Sequence, residues 1–352
     1  GSGSVSKINL AAVTGDAKIK LDVIPSAIAI NPAGTFAYVT NGASNSVSKI
    51  NLATDTVEAT INVGYQPMGI AINLAGTFAY VTNAGSGSVS KINLATDTVI
   101  ATIKVGNWPS AIAVNPAGTF AYVTNSDSGS VSKINLATNT VIATIKVGDQ
   151  PSAIAVNPAG TFAYVINSEF AKVLKINLAT NTVIATIKVG WTESVGIAVN
   201  PAGTFAYVIG DDYFNSDAYR VSKINLATNA VIATIIGGES YPSAIAVNPA
   251  GTFAYVTYRI SDSVSKINLA TGVSNATVTM PASAKVLAAY ANLTVAKGAT
   301  ISLRVAPSSA TFCKVSRATL NVINSGSCKV RVTVKPKVGK SVSKTVTLDV
   351  TK

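Results

Sequence analysis

The chain contains 352 residues, 48% of them hydrophobic, and carries a formal net charge of +12 without a single histidine. The absence of histidine excludes Ser-His-Asp and Cys-His nucleophile relays, imidazole metal sites and histidine-ligated haem. No apolar run reaches the length of about 18 residues that a membrane-spanning helix needs, and the first residues lack the basic-then-apolar pattern of a signal peptide.

A segment of the type Ala-Ile-Ala-Val-Asn-Pro-Ala-Gly-Thr-Phe-Ala-Tyr-Val-Thr-Asn recurs along most of the chain. Its Pro-Ala-Gly-Thr-Phe-Ala-Tyr-Val part starts at six positions, which are Pro32, Leu74 (in place of proline), Pro116, Pro158, Pro201 and Pro249. Successive starts lie 42, 42, 42, 43 and 48 residues apart. Such a period predicts one supersecondary unit stacked on copies of itself, each burying an apolar face of its neighbour.

The copy at residues 110–148 predicts four short strands. Residues 110–115 alternate Ala with Ile or Val, and 119–125, 131–136 and 141–147 follow as further strands. The sequence Asn-Pro-Ala-Gly at 115–118 is typical of a type I turn. In the fourth strand, we expect Val141, Ala143, Ile145 and Val147 to face one way. Four strands per period of about 40 to 45 residues predict an all-β fold, the β-propeller.

The motif Tyr-Val-Thr-Asn stands at residues 38–41, 80–83 and 122–125 and drifts in later copies, the sixth reading Tyr-Val-Thr-Tyr. At this motif the chain resembles the YVTN-repeat propellers of bacterial and archaeal surface-layer proteins. The resemblance covers roughly residues 1–272 and implies a propeller fold and a location outside the cell or at its surface. It says little about activity, because propellers host unrelated functions.

Counting strands leaves the number of blades open. The first two strands of the repeat occur six times and the last two occur seven times, which gives 26 strands, whereas six blades need 24 and seven need 28. The chain thus begins inside a repeat. The family resemblance favours seven blades, and six blades closed by the N-terminal strands are the alternative.

Residues 273–352 have a different texture, with alternating runs at 299–305, 318–323, 328–334 and 342–350. These runs predict a small antiparallel β-sandwich, similar to a bacterial immunoglobulin-like module. This region holds 12 basic residues and one acid, a charge of +11, whereas residues 1–272 hold 15 and 14, a charge of +1. Such a basic region attracts anionic cell-wall polymers, lipid head groups or nucleic acid, or it serves only as a solubilising surface.

Cys313 and Cys328, the only cysteines, both lie in this basic region. A zinc site would lack ligands, because the chain has no histidine and no further thiol. We predict a disulfide between them, which would indicate an oxidising compartment. Two buried free thiols are the alternative.

Two connections vary among the repeats: the loop between the second and third strands and the loop between blades. In an up-and-down blade both leave the same end, where loops on a rigid scaffold often bind ligands. We expect nine of the fifteen acids and several aromatic residues there. The predicted ligand-binding face comprises Tyr65, Trp108, Trp191, Glu193, Tyr213, Phe214, Tyr241, Tyr258 and Arg259. Loops that drift without a function are the alternative.

Two further features invite a functional interpretation. Asp211, Asp212, Asn215 and Asp217 could supply oxygen ligands to calcium, although their spacing matches no standard loop, so no metal site is predicted. One lysine recurs on each third strand, and the simplest expectation is a solvated side chain. No cofactor is predicted, because no phosphate-binding glycine motif precedes a helix.

The residues therefore favour a non-catalytic, extracellular or cell-surface protein. Its propeller would recognise a surface glycan, a cell-wall polymer or a protein, with the basic region as spacer or envelope attachment. One alternative is a nucleic-acid-binding propeller, which is disfavoured because the propeller is nearly neutral and its aromatic residues lie among acids. The other is a self-assembling filament or surface-lattice subunit.

Overall fold

Each sequence period folds into one four-stranded antiparallel sheet, in a computed structural model that describes residues 3–9, 14–21, 23–168, 172–189, 193–211, 219–236, 241–258, 263–270, 274–275, 282–283, 300–305, 313–316, 319–322, 326–335 and 342–350. Six such sheets, here called blades 1 to 6, follow one another along the chain. Together they form the predicted all-β propeller, with six complete blades.

The first three blades have the following strands, in chain order: β3 (Pro25–Ile30), β4 (Phe36–Asn41), β5 (Ser46–Asn51) and β6 (Thr56–Asn62) in blade 1; β7 (Pro67–Ile72), β8 (Phe78–Asn83), β9 (Ser88–Asn93) and β10 (Thr98–Lys104) in blade 2; β11 (Pro109–Val114), β12 (Phe120–Asn125), β13 (Ser130–Asn135) and β14 (Thr140–Lys146) in blade 3. In each of these three blades, the four strands lie side by side in the order in which they follow one another along the chain.

The last three blades have these strands: β15 (Pro151–Val156), β16 (Phe162–Asn167), β17 (Lys172–Asn177) and β18 (Thr182–Lys188) in blade 4; β19 (Glu193–Val199), β20 (Phe205–Asp211), β21 (Tyr219–Asn225) and β22 (Ala230–Ile236) in blade 5; β23 (Pro242–Val247), β24 (Phe253–Tyr258), β25 (Val264–Asn268) and β26 (Ser274–Asn275) in blade 6. The described residues thus form six complete blades, whereas the family resemblance favours seven, and β1 (Ser4–Asn9) and β2 (Thr14–Lys20) form a separate two-stranded sheet.

The turn between the first and second strands is fixed by its asparagine. In blade 3, the Gly118 N–H donates to the Asn115 carbonyl at 2.8 Å, as the predicted turn requires. The Asn115 side chain accepts hydrogen bonds from the Thr119 and Phe120 N–H groups, both at 2.9 Å. Gly118 has a φ of +67°, which a residue without Cβ adopts at little cost.

The fourth strand contains a β-bulge that the alternation of residues does not reveal. In blade 3, Ile134 pairs with Val141 and Lys133 with Ala143, so that Ile142 is an extra residue. Val141 therefore packs toward blade 2, whereas Ile145 and Val147 pack toward blade 4. The expectation that these three side chains share one face is wrong, because a bulge shifts the strand by one residue and reverses its faces.

The hydrophobic core consists of one layer between each pair of successive blades. Between blades 3 and 4, Tyr122, Val131 and Ile145 of blade 3 pack against Ile154 and Val165 of blade 4. The tyrosine of the motif is the largest buried side chain of each layer, as seen for Tyr38, Tyr80, Tyr122, Tyr164 and Tyr207, which are at most 2% exposed. Stacking of blades therefore buries most of the apolar residues of the repeat.

The chain divides into two compact units, which consist of Gly1–Lys7, Ala17–Asp262 and Lys266–Ser274 in the first and Ile8–Asp16, Ser263–Ser265 and Asn275–Lys352 in the second. Two three-stranded antiparallel sheets belong to the second unit. One contains β27 (Ala282–Ser283), β29 (Cys313–Ser316) and β30 (Thr319–Val322), and the other contains β28 (Thr300–Val305), β31 (Gly326–Lys335) and β32 (Val342–Val350). The immunoglobulin-like assignment stays a prediction.

The two cysteines lie on different sheets of this second unit. Cys313 begins β29, and Cys328 lies in β31. Their side chains are outside the described part of the structure, so the disulfide stays a prediction. Among the described residues, no helix is long and apolar enough to cross a lipid bilayer.

Candidate functional site

The two kinds of variable connection lie together at one end of the propeller, which we call the variable face. At blade 2, the Gly85 N–H donates to the Tyr65 carbonyl at 3.1 Å, and the Ala84 N–H donates to the Gln66 carbonyl at 2.9 Å. At blade 3, the Ser126 N–H donates to the Trp108 carbonyl at 3.0 Å. The loop that enters a blade is therefore bonded to the loop between that blade's second and third strands.

Side chains strengthen this contact between loops. The Tyr65 N–H donates to Ser86 Oγ at 2.7 Å, and the Asn107 N–H donates to Ser128 Oγ at 2.7 Å. The equivalent serine hydroxyl thus accepts the equivalent bond in successive blades. At blades 2 and 3, the same backbone and serine hydrogen bonds therefore hold the two variable loops together, although their side chains differ.

In four of the blades, the residue immediately before the first strand has an unusual backbone. Gln66, Trp108, Gln150 and Tyr241 have φ values of 54°, 53°, 50° and 62°, and each precedes a proline. The left-handed region costs a non-glycine residue about 1–3 kcal/mol, and a residue before proline ordinarily prefers an extended conformation. The fold thus maintains an unfavourable backbone at the same point of four blades. We call this point the pre-proline position.

Aromatic side chains on the variable face are exposed. Tyr65 is 56% exposed, Trp108 44% and Tyr241 53%. The Tyr65 ring lies directly against the backbone of Gly85, where an added Cβ would collide with ring atom Cδ1. Because Trp108 and Tyr241 occupy the pre-proline position in different blades, the repeat places them at equivalent points of the face. Gln66 and Gln150 occupy the same position in blades 2 and 4, and all four residues precede a proline.

Tyr258 is not on this surface. It is only 5% exposed and packs with Val256 and Ile267 in the layer between blades 5 and 6. The prediction that Tyr258 lies on the variable face is wrong because Tyr258 occupies the last position of the Tyr-Val-Thr-Asn motif in its repeat. The asparagines at that position, such as Asn41 and Asn83, are fully buried. Tyr258 is therefore a core residue at the end of β24.

The remaining residues of the predicted face are described only in part. Glu193 begins β19, and its backbone pairs with that of Asp211 at the end of β20. The aromatic residues Trp191, Tyr213 and Phe214 and the basic Arg259 lie outside the described residues, as do Asp212, Asn215 and Asp217 of the calcium alternative. Of the aromatic residues predicted for the face, the described part places Tyr65, Trp108 and Tyr241 there.

The opposite end of the propeller, here called the uniform face, carries the recurring lysines. Lys133 Nζ of blade 3 donates to the Leu178 carbonyl at 2.9 Å and to Asn181 Oδ1 at 3.0 Å, both in blade 4. It also lies 4.6 Å from the centroid of the Phe120 ring. The expectation of a solvated lysine is wrong here, because Lys133 is 7% exposed. Burial lowers the pKa of Lys133 below its usual value.

Equivalent lysines make equivalent contacts along the chain. Lys91 Nζ donates to the Leu136 carbonyl and to Asn139 Oδ1, at 2.9 and 3.0 Å. In blade 1, Lys49 forms an ion pair with Asp97 Oδ2 at 2.8 Å. We call these contacts the lysine clips. These contacts engage the lysine ammonium groups and link each complete blade to the next.

Crevices of about 400 Å³ open between successive blades on the uniform face. One of them is lined by Phe162, Tyr164 and Lys175. Lys175 Nζ already donates to the Leu226 carbonyl at 2.9 Å, so the cation that could recognise a ligand is engaged. Among the described residues, no group of three or more histidine, cysteine, aspartate or glutamate side chains is arranged to hold a metal ion.

The comparisons with known proteins agree with the fold. No protein-family model matches the chain, and no curated protein matches it. Many solved structures are similar. One is the hydrazine synthase of Kuenenia stuttgartiensis, with a TM-score of 0.65 and 22% identity over 72% of this chain and 80% of that one. Another is a functionally unknown protein from Desulfotomaculum acetoxidans, with a TM-score of 0.67 and 16% identity over 76% of this chain and 90% of the other. At such identities, the similarity concerns the propeller fold alone.

Proposed function

We propose that this chain is a non-catalytic binding protein of the cell surface or extracellular space, whose variable face recognises a glycan, a cell-wall polymer or a protein. The observation that carries the proposal is the set of exposed aromatic side chains on fixed backbone. Tyr65, Trp108 and Tyr241 expose about half of their surface. Large rigid aromatic groups provide contact area at a low entropic cost, which is why they dominate many binding sites.

The rigidity of the loops supports binding further. The Trp108 carbonyl is hydrogen-bonded to the neighbouring loop, and the backbone at Trp108 has a φ of 53°. A side chain fixed before the ligand arrives loses less conformational freedom on binding than one on a mobile loop. An energetically unfavourable backbone at such a position is frequent at functional sites.

The proposal of a non-catalytic role rests on the residue types present. The whole chain has no histidine, and the lysines in the crevices of the uniform face are engaged in clips. General acid–base or nucleophilic catalysis needs an activated group within reach of a substrate. The hydrazine synthase named above shares the fold of this chain, and a fold alone does not transfer an activity.

The proposed location rests on the Tyr-Val-Thr-Asn motif and on charge. The motif is similar to the repeat of surface-layer propellers, and residues 273–352 carry a charge of +11. A region of this charge associates with anionic polymers of a cell envelope through long-range attraction. We propose that it spaces the propeller from the envelope or attaches it there.

A binding array of glycans, cell-wall polymers and surface proteins, probed with the intact chain, tests the proposal. We expect Trp108→Ala to weaken the binding of any ligand found by about tenfold or more, because hot-spot aromatic residues contribute about 2 kcal/mol or more. Tyr65→Ala should act in the same direction.

The matched control is Ile142→Ala, which changes an equally exposed side chain on the outer strand of the same blade as Trp108. This variant should bind as the original chain does. Equal binding by Trp108→Ala, Tyr65→Ala and the original chain would refute the role of the variable face.

A further inference from the structure

Neighbouring pre-proline positions are connected to each other by one side chain. The Ser126 N–H donates to the Trp108 carbonyl at 3.0 Å, and Ser126 Oγ donates to the Pro151 carbonyl of blade 4 at 2.9 Å. Pro151 directly follows Gln150, which is the pre-proline residue of blade 4. Ser126 therefore links the pre-proline positions of blades 3 and 4.

Further hydrogen bonds connect the first strands of blades 2, 3 and 4. The Thr82 hydroxyl accepts from the Gly69 N–H of β7 at 2.8 Å and donates to the Ser110 carbonyl of β11 at 3.0 Å. Ser110 Oγ donates to the Pro151 carbonyl of β15 at 3.2 Å. These bonds hold the three strands beside one another, and with them the residue that precedes each strand. We call these three residues, Gln66, Trp108 and Gln150, the pre-proline arc.

Polar side chains accompany Trp108 in the two loops that hold it. Asn107 directly precedes Trp108, and its N–H donates to Ser128 Oγ at 2.7 Å. Asp127 lies between Ser126 and Ser128, which are the two residues bonded to the Asn107–Trp108 segment. Both Asn107 and Asp127 are exposed. The loops therefore present one large aromatic ring together with an amide and a carboxylate.

The three loops around Trp108 and Gln150 contain no basic residue. They comprise residues 105–108, 126–129 and 147–150. Their only charged residues, Asp127 and Asp149, are exposed. The preceding lysines, Lys104 and Lys146, belong to the outer strands β10 and β14. Proteins bind anionic sugars and phosphate groups through cationic donors, above all arginine, so this part of the variable face favours an uncharged ligand.

We infer, on the basis of the proposed function, that the ligand of the variable face is an uncharged oligosaccharide. Trp108 stacks on the apolar face of one sugar ring, and Gln66 and Gln150 form hydrogen bonds with hydroxyl groups of the adjoining sugars. A sugar ring has an apolar face of C–H groups and a rim of hydroxyl groups, so it matches an aromatic ring between amides. A side-chain amide offers two donors and one acceptor oxygen to such hydroxyl groups.

A protein ligand fits this surface less well. The centre of a protein–protein interface is depleted of charged residues and is mostly apolar, whereas Trp108 shares its loops with the exposed Asn107 and Asp127. An oligosaccharide does not need a continuous apolar patch. Tyr65 provides a second exposed aromatic ring in the loop that enters blade 2, so a ligand that crosses successive blades meets a ring in two of them.

Isothermal titration calorimetry with the full chain tests the inference. One series of probes comprises uncharged oligosaccharides of hexoses and N-acetylhexosamines in increasing lengths, and a second comprises polymers of uronic acids or sugar phosphates. We expect saturable binding of at least one uncharged oligosaccharide, with an affinity that rises with length until the ligand reaches the whole pre-proline arc. A higher salt concentration should leave this binding unchanged, because salt screens only interactions between charges.

Two variants at Trp108 separate ring stacking from simple apolar contact. Trp108→Phe keeps an aromatic ring and should retain the affinity within about threefold, whereas Trp108→Leu keeps only apolar volume and should weaken binding by about tenfold. Gln150→Ala should weaken it by about three- to tenfold, the effect of one lost hydrogen bond. Ile142→Ala, at an equally exposed position on an outer strand, should bind as the original chain does. Equal thermal unfolding midpoints of the variants exclude misfolding.

Absence of binding to every uncharged oligosaccharide, or equal binding by Trp108→Phe and Trp108→Leu, would overturn the inference. A charged polymer or a protein whose binding Trp108→Leu weakens would also overturn it, and would leave the proposed function of the variable face intact. If no ligand at all depended on Trp108 or Tyr65, the proposed function would fail as well. Anionic polymers count only where Trp108→Leu weakens their binding, because residues 273–352 carry a charge of +11 and attract them independently.

Discussion

The threonine and the asparagine of the Tyr-Val-Thr-Asn motif each form hydrogen bonds with buried backbone or hydroxyl groups. In blade 1, the Thr40 hydroxyl accepts from the Ala27 N–H at 2.9 Å and donates to the Met68 carbonyl of blade 2 at 2.7 Å. Asn41 Nδ2 donates to Ser48 Oγ at 2.9 Å. The threonine hydroxyl thus accepts a backbone hydrogen bond where the pairing of the first two strands is irregular, and it links two blades. The asparagine connects the second strand to the third by a hydrogen bond.

Side chains with two possible environments are the hardest to place from the sequence alone. A lysine repeated once per blade has the same sequence pattern whether it is solvated or buried. The structure distinguishes the two, because the acceptors for Lys133 lie 45 and 48 residues further along the chain, at Leu178 and Asn181. Local sequence does not reveal a partner at that distance.

The lysine clip of blade 3 predicts a specific loss of stability. Lys133→Met keeps most of the aliphatic side chain but leaves the buried Leu178 carbonyl and Asn181 without their donor. The free energy of unfolding should fall by about 1–3 kcal/mol, the usual cost of an unsatisfied buried group. Urea unfolding followed by circular dichroism measures this change.

Lys146→Met is the control, since Lys146 lies on the exposed side of β14 in the same blade. A surface substitution of this kind changes stability by about 0.5 kcal/mol or less. If both methionine variants unfolded at the same urea concentration, the clip would contribute nothing to the fold.

At the scale of elements, alternation and turn chemistry were sufficient to locate the strands of blade 3. The structure places every end of β11 to β14 within one residue of the predicted bounds. The β-bulge at Ile142 escaped prediction, because Val-Ile-Ala-Thr-Ile offers apolar residues to both faces. A bulge is decided by the pairing partner, here the register between Lys133 and Ile134.

The bulge predicts different sensitivities for two adjacent residues. Val141 packs in the layer between blades 2 and 3, whereas Ile142 is 50% exposed. Val141→Thr should reduce the free energy of unfolding by about 1–3 kcal/mol, because the hydroxyl enters an apolar layer. Ile142→Thr should change it by about 0.5 kcal/mol or less. Thermal or urea unfolding of both variants tests the assignment, and a larger effect at Ile142 would contradict the observed register.

At the scale of the whole molecule, the repeat predicted the architecture, and the variable face remained only partly predictable. The stacking of blades follows from the period and the apolar faces. The exposure of Trp108 and the burial of Tyr258 do not, because both stand near the ends of strands. Trp108 aligns with the pre-proline position, which is exposed, and Tyr258 aligns with the motif asparagine, which is buried. Only this alignment distinguishes the two residues.

The layers of buried tyrosine predict alkaline unfolding of the whole propeller. Burial raises the pKa of Tyr38, Tyr80, Tyr122 and Tyr164 to about 12. In the unfolded chain these groups titrate near pH 10, so the folded state binds more protons between about pH 10 and 12, and its stability falls as the pH rises through this range.

The buried lysines act in the opposite sense at lower pH. Burial lowers the pKa of Lys91, Lys133 and Lys175. The unfolded state then binds the extra protons, and their loss as the pH rises toward about 10.4 favours folding. The stability of the folded state should therefore begin to fall above about pH 10.4. Tyrosinate absorbance and circular dichroism should change together there, and complete ionisation of all 12 tyrosines with the fold intact would refute the prediction.

The near-identity of the inter-blade layers also bears on how such a molecule changes its size. The layers between blades 2 and 3 and between blades 3 and 4 contain equivalent tyrosine, valine and isoleucine residues, so these contacts do not distinguish one blade from another. Duplication or deletion of one genetic repeat would leave docking surfaces that still match. A change in the number of repeats would then preserve the packing of the layers and alter only the set of loops at the variable face.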